Sequence, residues 1–129
     1  MSLTNAFETH TLQYLLTTDS VTRPTSWYIG LFTSDPTDTG SAGTEVSTGT
    51  GYARTAVTFT VTGDTASNSA AVEFPAASGG NWGTVSHIGV MDASSGGNMI
   101  VHSALSVAKA INDGDVFRIP TGDLDITAA

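Results

Sequence analysis

At 129 residues the chain has room for one domain, and without cysteine it can form neither disulfides nor thiolate metal sites. Twelve acidic against four basic residues give a formal charge of −8. That field repels phosphate backbones and anionic membrane surfaces, so neither nucleic acid nor membrane is expected as a partner.

Residues 5–17 read as a helix, with Asn5 as the cap, Glu8 as its returning partner, and Phe7, His10, Tyr14 and Leu15 near one stripe. The helix is expected to cover part of the core. It is too broken in its apolar run to serve as a signal core, and neither a signal peptide nor a transmembrane span is expected. Turn formers in 18–25 end it. Trp27 to Thr33 is aromatic and β-branched, with Pro24 upstream and Asp35-Pro36 downstream. It reads as a central strand with two apolar faces: Trp27, Ile29 and Leu31 on one, Tyr28, Gly30 and Phe32 on the other. Gly30 in mid-strand implies close packing over it.

Ser34 to Gly51 is nearly devoid of apolar residues and reads as a long polar loop, with an edge strand possible over Thr44 to Ser47. Two readings stay open for it, a solvated loop and an arm that orders on a neighbouring molecule. Tyr52 to Thr62 alternates cleanly, which predicts one strand with Ala53, Thr55, Val57, Phe59 and Val61 inward and Tyr52 and Arg54 on the wetter face. Gly63-Asp64 turns it. Further strands are expected at 70–74, 84–92, 99–105, 107–111, 115–119 and 124–127, with turns at Ser94 to Gly97, Asn112-Asp113-Gly114 and Pro120-Thr121-Gly122. The predicted core is Trp27, Ile29, Leu31, Val57, Phe59, Val72, Phe74, Ile88, Val90 and Val101.

About eight short strands, one N-terminal helix and no βαβ rhythm predict a mainly β fold. The expected form is an antiparallel β-sandwich or jelly-roll-like domain, with a small closed barrel as the alternative. We read residues 1–129 as a single domain, the helix over 5–17 and the β-sandwich over 26–127.

Catalytic chemistry finds little support in these residues. His10, His87 and His102 are the only imidazoles, and two of them on neighbouring strands do not make a zinc site without a positioned carboxylate. Asp113/Asp115 and Asp123/Asp125 lack the spaced oxygen ligands of a calcium loop. Ser86, His87 and Asp92 have the residue types of a triad, but adjacent strand residues are expected to face opposite ways. The glycine-rich 48–51 run precedes a strand, not the helix a phosphate loop needs. No metal or cofactor and no enzymatic activity are expected. The interaction candidates are Asp35, Asp38 and Glu45 on the polar loop, Tyr52 and Arg54 beside it, and Trp82.

Tyr28 to Thr33, Pro36-Thr37-Asp38, Thr44-Glu45-Val46 and Gly51-Tyr52-Ala53-Arg54 resemble a family of small tailed-bacteriophage virion proteins. The likeness continues through Val72 to Pro75, Trp82 to Gly89, Asp92 with Gly96-Gly97-Asn98, Asn112 to Asp115 and Pro120 to Leu124. Members are known as tail-fibre proteins, and similar domains act as capsid cement or decoration proteins. The resemblance implies a structural protein of the virion, on the capsid exterior or the tail. Implied partners are the major capsid protein or other virion proteins, and further copies of itself in a dimer or trimer. Our expectation is a cement protein that clamps the outer shell through the 34–51 loop. The alternatives are a tail-fibre or head-fibre component, and a host-surface carbohydrate-binding module using Trp82 and Tyr52 as exposed platforms.

Overall fold

The structure, a computed structural model, describes residues 1–128. In chain order its elements are β1 (Ser2–Leu3), α1 (Asn5–Leu16), β2 (Tyr28–Phe32), a 3-10 turn (Thr48–Thr50), β3 (Thr55–Ala56), β4 (Phe59–Thr62), β5 (Thr65–Asn68), β6 (Val72–Glu73), β7 (Gly83–Met91), β8 (Met99–Ile111), β9 (Arg118–Ile119) and β10 (Asp125–Thr127). The fold is mainly β and antiparallel throughout. A five-stranded sheet runs β1-β8-β7-β2-β3, a three-stranded sheet β10-β5-β4, and β6 pairs with β9.

β2 occupies the position its sequence predicts, between β7 and β3. Ile29 and Leu31, with Trp27 at the margin, enter the main core, while Phe32 and Tyr28 join Met91 and Met99 in a second cluster on the other face. The main core is centred on aromatics. Phe74 stacks on Tyr52 at 6.2 Å and meets Trp82 and Phe117 edge-on at 6.4 and 5.7 Å.

Two interruptions in the β7–β8 ladder set which residues share a face. Val85 pairs with Lys109 but His87 with Ala104, so the pairing slips around Ser86. Val85 and Ile88 are three apart, yet both sit in the main core, because the irregularity shifts the alternation by one. A second slip lies between Val90 and Met91. It sends Val101 to the main core and Met99 to the other face. β8 continues unbroken through Ser106, where the sequence predicts two strands.

Several expectations are corrected. Tyr52 to Thr62 is not one strand. Strand pairing starts only at Thr55 and breaks between β3 and β4; Tyr52, ahead of it, is buried at 4% exposure, while Val61 stands 70% exposed and Phe59 is half-buried. β5 has no counterpart among the strands the sequence predicts. It forms because Gly63, at φ +62°, opens a two-residue turn that pairs Thr62 with Thr65. Thr4 precedes α1, but its Oγ1 donates to Met99 O at 2.7 Å instead of capping, and the Asn5/Glu8 box does not form. The helix does not cover the core as expected. It touches the body through β1 and β8, and of its side chains Phe7 is buried while Leu12, Tyr14, Leu15 and Leu16 are 58–77% exposed.

The polar loop is not a free arm. Thr33 N donates to Thr44 O and Val46 N to Leu31 O, so residues 44–46 extend the sheet edge beyond β3. Asn5 N donates to Asp38 O, and Gly40 lies against Met99 and Thr4. Val46 and Pro36 are buried. Few apolar residues are enough because backbone hydrogen bonds hold the rest.

Candidate functional site

The strongest polar constellation lies where the 34–51 loop, the stretch before β3 and the 92–98 hairpin converge. Gly51, in the left-handed region at φ +78°, turns the chain inward so that Tyr52 and Arg54 follow on the side of the loop. Arg54 clasps Glu45 two-pronged: Nε donates to Oε2 and Nη2 to Oε1, both at 2.9 Å. Its Nη1 donates to Ala93 O at 2.9 Å and Gly96 O at 2.8 Å. Tyr52 OH donates to Glu45 Oε2 at 2.6 Å and accepts from Leu31 N at 3.0 Å. A hydroxyl thus fills the ladder position that β3 leaves empty beside Leu31.

This packing explains the charges. Burial works against the Glu45 carboxylate, but hydrogen bonds from Arg54 and Tyr52, with the guanidinium charge, outweigh it and hold Glu45 below its usual range. Hydrogen bonding to Glu45 raises Arg54 further, against the effect of burial. Burial first, then the hydrogen bond to Glu45, pushes the Tyr52 phenol well up, so it stays a donor at every ordinary pH. The Arg54 side chain is 9% exposed. It holds three segments together rather than facing water as the sequence pattern predicts.

A second group sits on the outer face of β7 and β8. His102 Nε2 lies 2.9 Å from Asp38 Oδ1, and His87 Nε2 lies 4.0 Å from Asp35 Oδ1. Ser86 Oγ shares a 2.8 Å hydrogen bond with His87 Nδ1. The expectation that Ser86 and His87 face opposite ways is therefore wrong, because the irregularity at Ser86 brings both to one side. These residues do not complete a triad: Asp35 is beyond hydrogen-bond reach of the ring, and among the described residues no carboxylate fixes the imidazole. Among the described residues no three His, Asp or Glu are grouped to hold a metal. Asp115 instead accepts from Asn112 N within its turn, and Asp125 accepts from Ser67.

Of the six interaction candidates, the fold joins Glu45, Tyr52 and Arg54 in one node and sets Asp35 and Asp38 beside the histidines. Trp82 packs edge-on against Tyr52 behind the node and takes no part in its ionic contacts. It is 5% exposed, 5.4 Å from the Tyr52 ring, and its Nε1 donates to Thr50 O at 2.8 Å. Neither Trp82 nor Tyr52 is an exposed aromatic, which removes the platform on which the carbohydrate alternative rested. The Asp38–His102 link bridges 64 positions in sequence, and no local signal announces it. Asn68 was also not foreseen. It is 1% exposed and holds the 120–124 turn by donating to Pro120 O and accepting from Leu124 N.

Residues 2–127 match the family described as Gp80, podophage GP4 fiber I protein gp80. No curated protein matches the chain.

Proposed function

Because the chain belongs to the Gp80 family of podophage fibre proteins, we propose that it is a rigid, non-enzymatic subunit of a fibre assembly on the exterior of the virion. The carrying observation is the Arg54 node. A partly buried, four-bonded guanidinium fixes loop, strand and hairpin in one arrangement before any partner arrives. Preorganised surfaces lose little entropy on docking, which suits a part built into a larger structure. The reading as one domain over residues 1–129 fits this role: a compact body without repeats acts as a joint or cap and leaves any long shaft to other chains.

Capsid cement is the second reading. It drew on a free polar arm that clamps neighbouring shell subunits, and the loop here is bonded to its own sheet. That favours the fibre role. Immunogold labelling of intact virions tests the choice, with label expected on fibres at the tail. Label spread over the heads, together with a higher DNA-release temperature when purified protein is added to bare heads, would replace the fibre reading with cement.

A further inference from the structure

One side of the molecule carries a continuous apolar trough, and we infer that a second copy of this chain covers it about a two-fold axis. The trough begins between α1 and the segment after it, lined by Phe7, Tyr14, Leu15, Val21 and Pro24. At Arg23 it opens into a groove between the five- and three-stranded sheets, against Trp27, Phe59 and Ile100. It runs on past Leu3, Val61, Ala66 and Ile126 to Asp64 at the far end.

Scattered exposed apolar side chains need no explanation, but a connected run of them does. Tyr14, Leu15 and Val61 along this trough are 75, 67 and 70% exposed. The groove exists because β4 carries Val61 away from the core, while Phe59, two residues earlier, is only half-buried.

Charge selects the occupant. The chain carries −8, and two such chains repel over most of their surfaces. Of its twelve acidic residues only Asp64 lines the trough. Arg23, exposed and without an ion pair among the described residues, is the one Lys or Arg on it. Among charged side chains the trough therefore bears one cation towards the helix end and one anion at the far end, where Met1 also lies. A two-fold axis across its middle uses that pattern twice, setting Arg23 of each copy against Asp64 of the other over an apolar centre. This is the self-complementarity an isologous interface requires. A partner of different sequence has no reason to match it.

Sedimentation equilibrium on the purified chain tests this, with Arg23→Asp, Asp64→Arg and the double reversal. The wild type is expected to be a dimer, each single variant to raise its dissociation constant at least about tenfold, and the double to return within about threefold of wild type. Asp64→Arg is the sharpest arm. It reduces the net negative charge from −8 to −6, so general repulsion alone predicts tighter association where the paired interface predicts weaker. Both positions are exposed, and unchanged thermal melts will show that the variants fold. A wild type that stays monomeric at ~100 μM, a concentration that reveals even micromolar affinity, overturns the inference. So does a trimer, a dimer indifferent to the reversals, or a trough that captures a different virion protein while the chain itself stays single.

Discussion

Arg54 gives four hydrogen bonds, two to Glu45 and two to carbonyls of the 92–98 hairpin. Removing it takes away both partners of the Glu45 carboxylate fork and the link between the loop and the 92–98 hairpin. Arg54→Ala is therefore expected to cost ~2 kcal/mol in urea unfolding, within the range for losing hydrogen bonds to charged groups. A loss under about 1 kcal/mol, as for a pair in open solvent, would show that the node is not structural. Lysine will not rescue it, since one ammonium cannot reproduce the planar fork. Glu45 gives the pH counterpart. Its carboxyl is held below the usual 4.5, so as pH falls the unfolded chain takes up the proton first. Stability from this group is fully present above about pH 4.5 and declines as acid drives the pH down through the lower folded value. The stability gap between wild type and Glu45→Gln should shrink over that acid range. A gap that is constant from neutral pH to acid would mean Glu45 is unperturbed.

At the scale of elements, the 34–51 loop behaves as an ordered extension of the sheet edge. Gly43 is its tightest point. An added Cβ would stand 2.7 Å from Ser34 O and 2.8 Å from Pro36 N and Cα, all backbone atoms that cannot swing aside. Gly43→Ala is expected to destabilise by ~1–3 kcal/mol, the usual range for overpacking. Hydrogen exchange on the variant should show faster exchange at Thr44 and Val46, whose amides tie the loop down or end it. Unchanged exchange there would mean that the loop relaxes freely around the methyl group. The helix shows the opposite case. Its exposed leucines meet no second layer among the described residues, and Leu15, with Tyr14, lines the trough.

For the whole molecule, the aromatic centre outweighs the strand the sequence favours. Phe74 is 2% exposed and contacts Tyr52, Trp82 and Phe117, so Phe74→Ala should cost ~3–5 kcal/mol. Alternation predicts the same for Phe59. In the fold Phe59 lies half-buried at the trough, and Phe59→Ala should cost clearly less, ~1–2 kcal/mol, because fewer neighbours lose contact. Denaturation midpoints of the two variants at equal slope decide the order. Equal losses at concentrations where the chain is monomeric would mean that Phe59 is buried within the single chain.

What the sequence determined by itself is what local physics controls. Residues 28–32 are apolar on both faces, so a central strand follows from burial alone, and the Asn112-Asp113-Gly114 and Ser94 to Gly97 turns follow from backbone preference. Mainly antiparallel β structure follows from the spacing of such runs. The tertiary structure decided the rest, because it turned on pairing between distant segments. Arg54 reads as outward by strict alternation, yet it precedes β3, outside the regular strand, and Glu45 waits nine residues back, so its charge is drawn inward. Ser86 and His87 meet only because β8 supplies extra residues opposite them. Trp82 could have been a surface platform or a core residue on composition alone. Thr50 O, 32 positions away, receives its indole hydrogen, and that partner settles it as core.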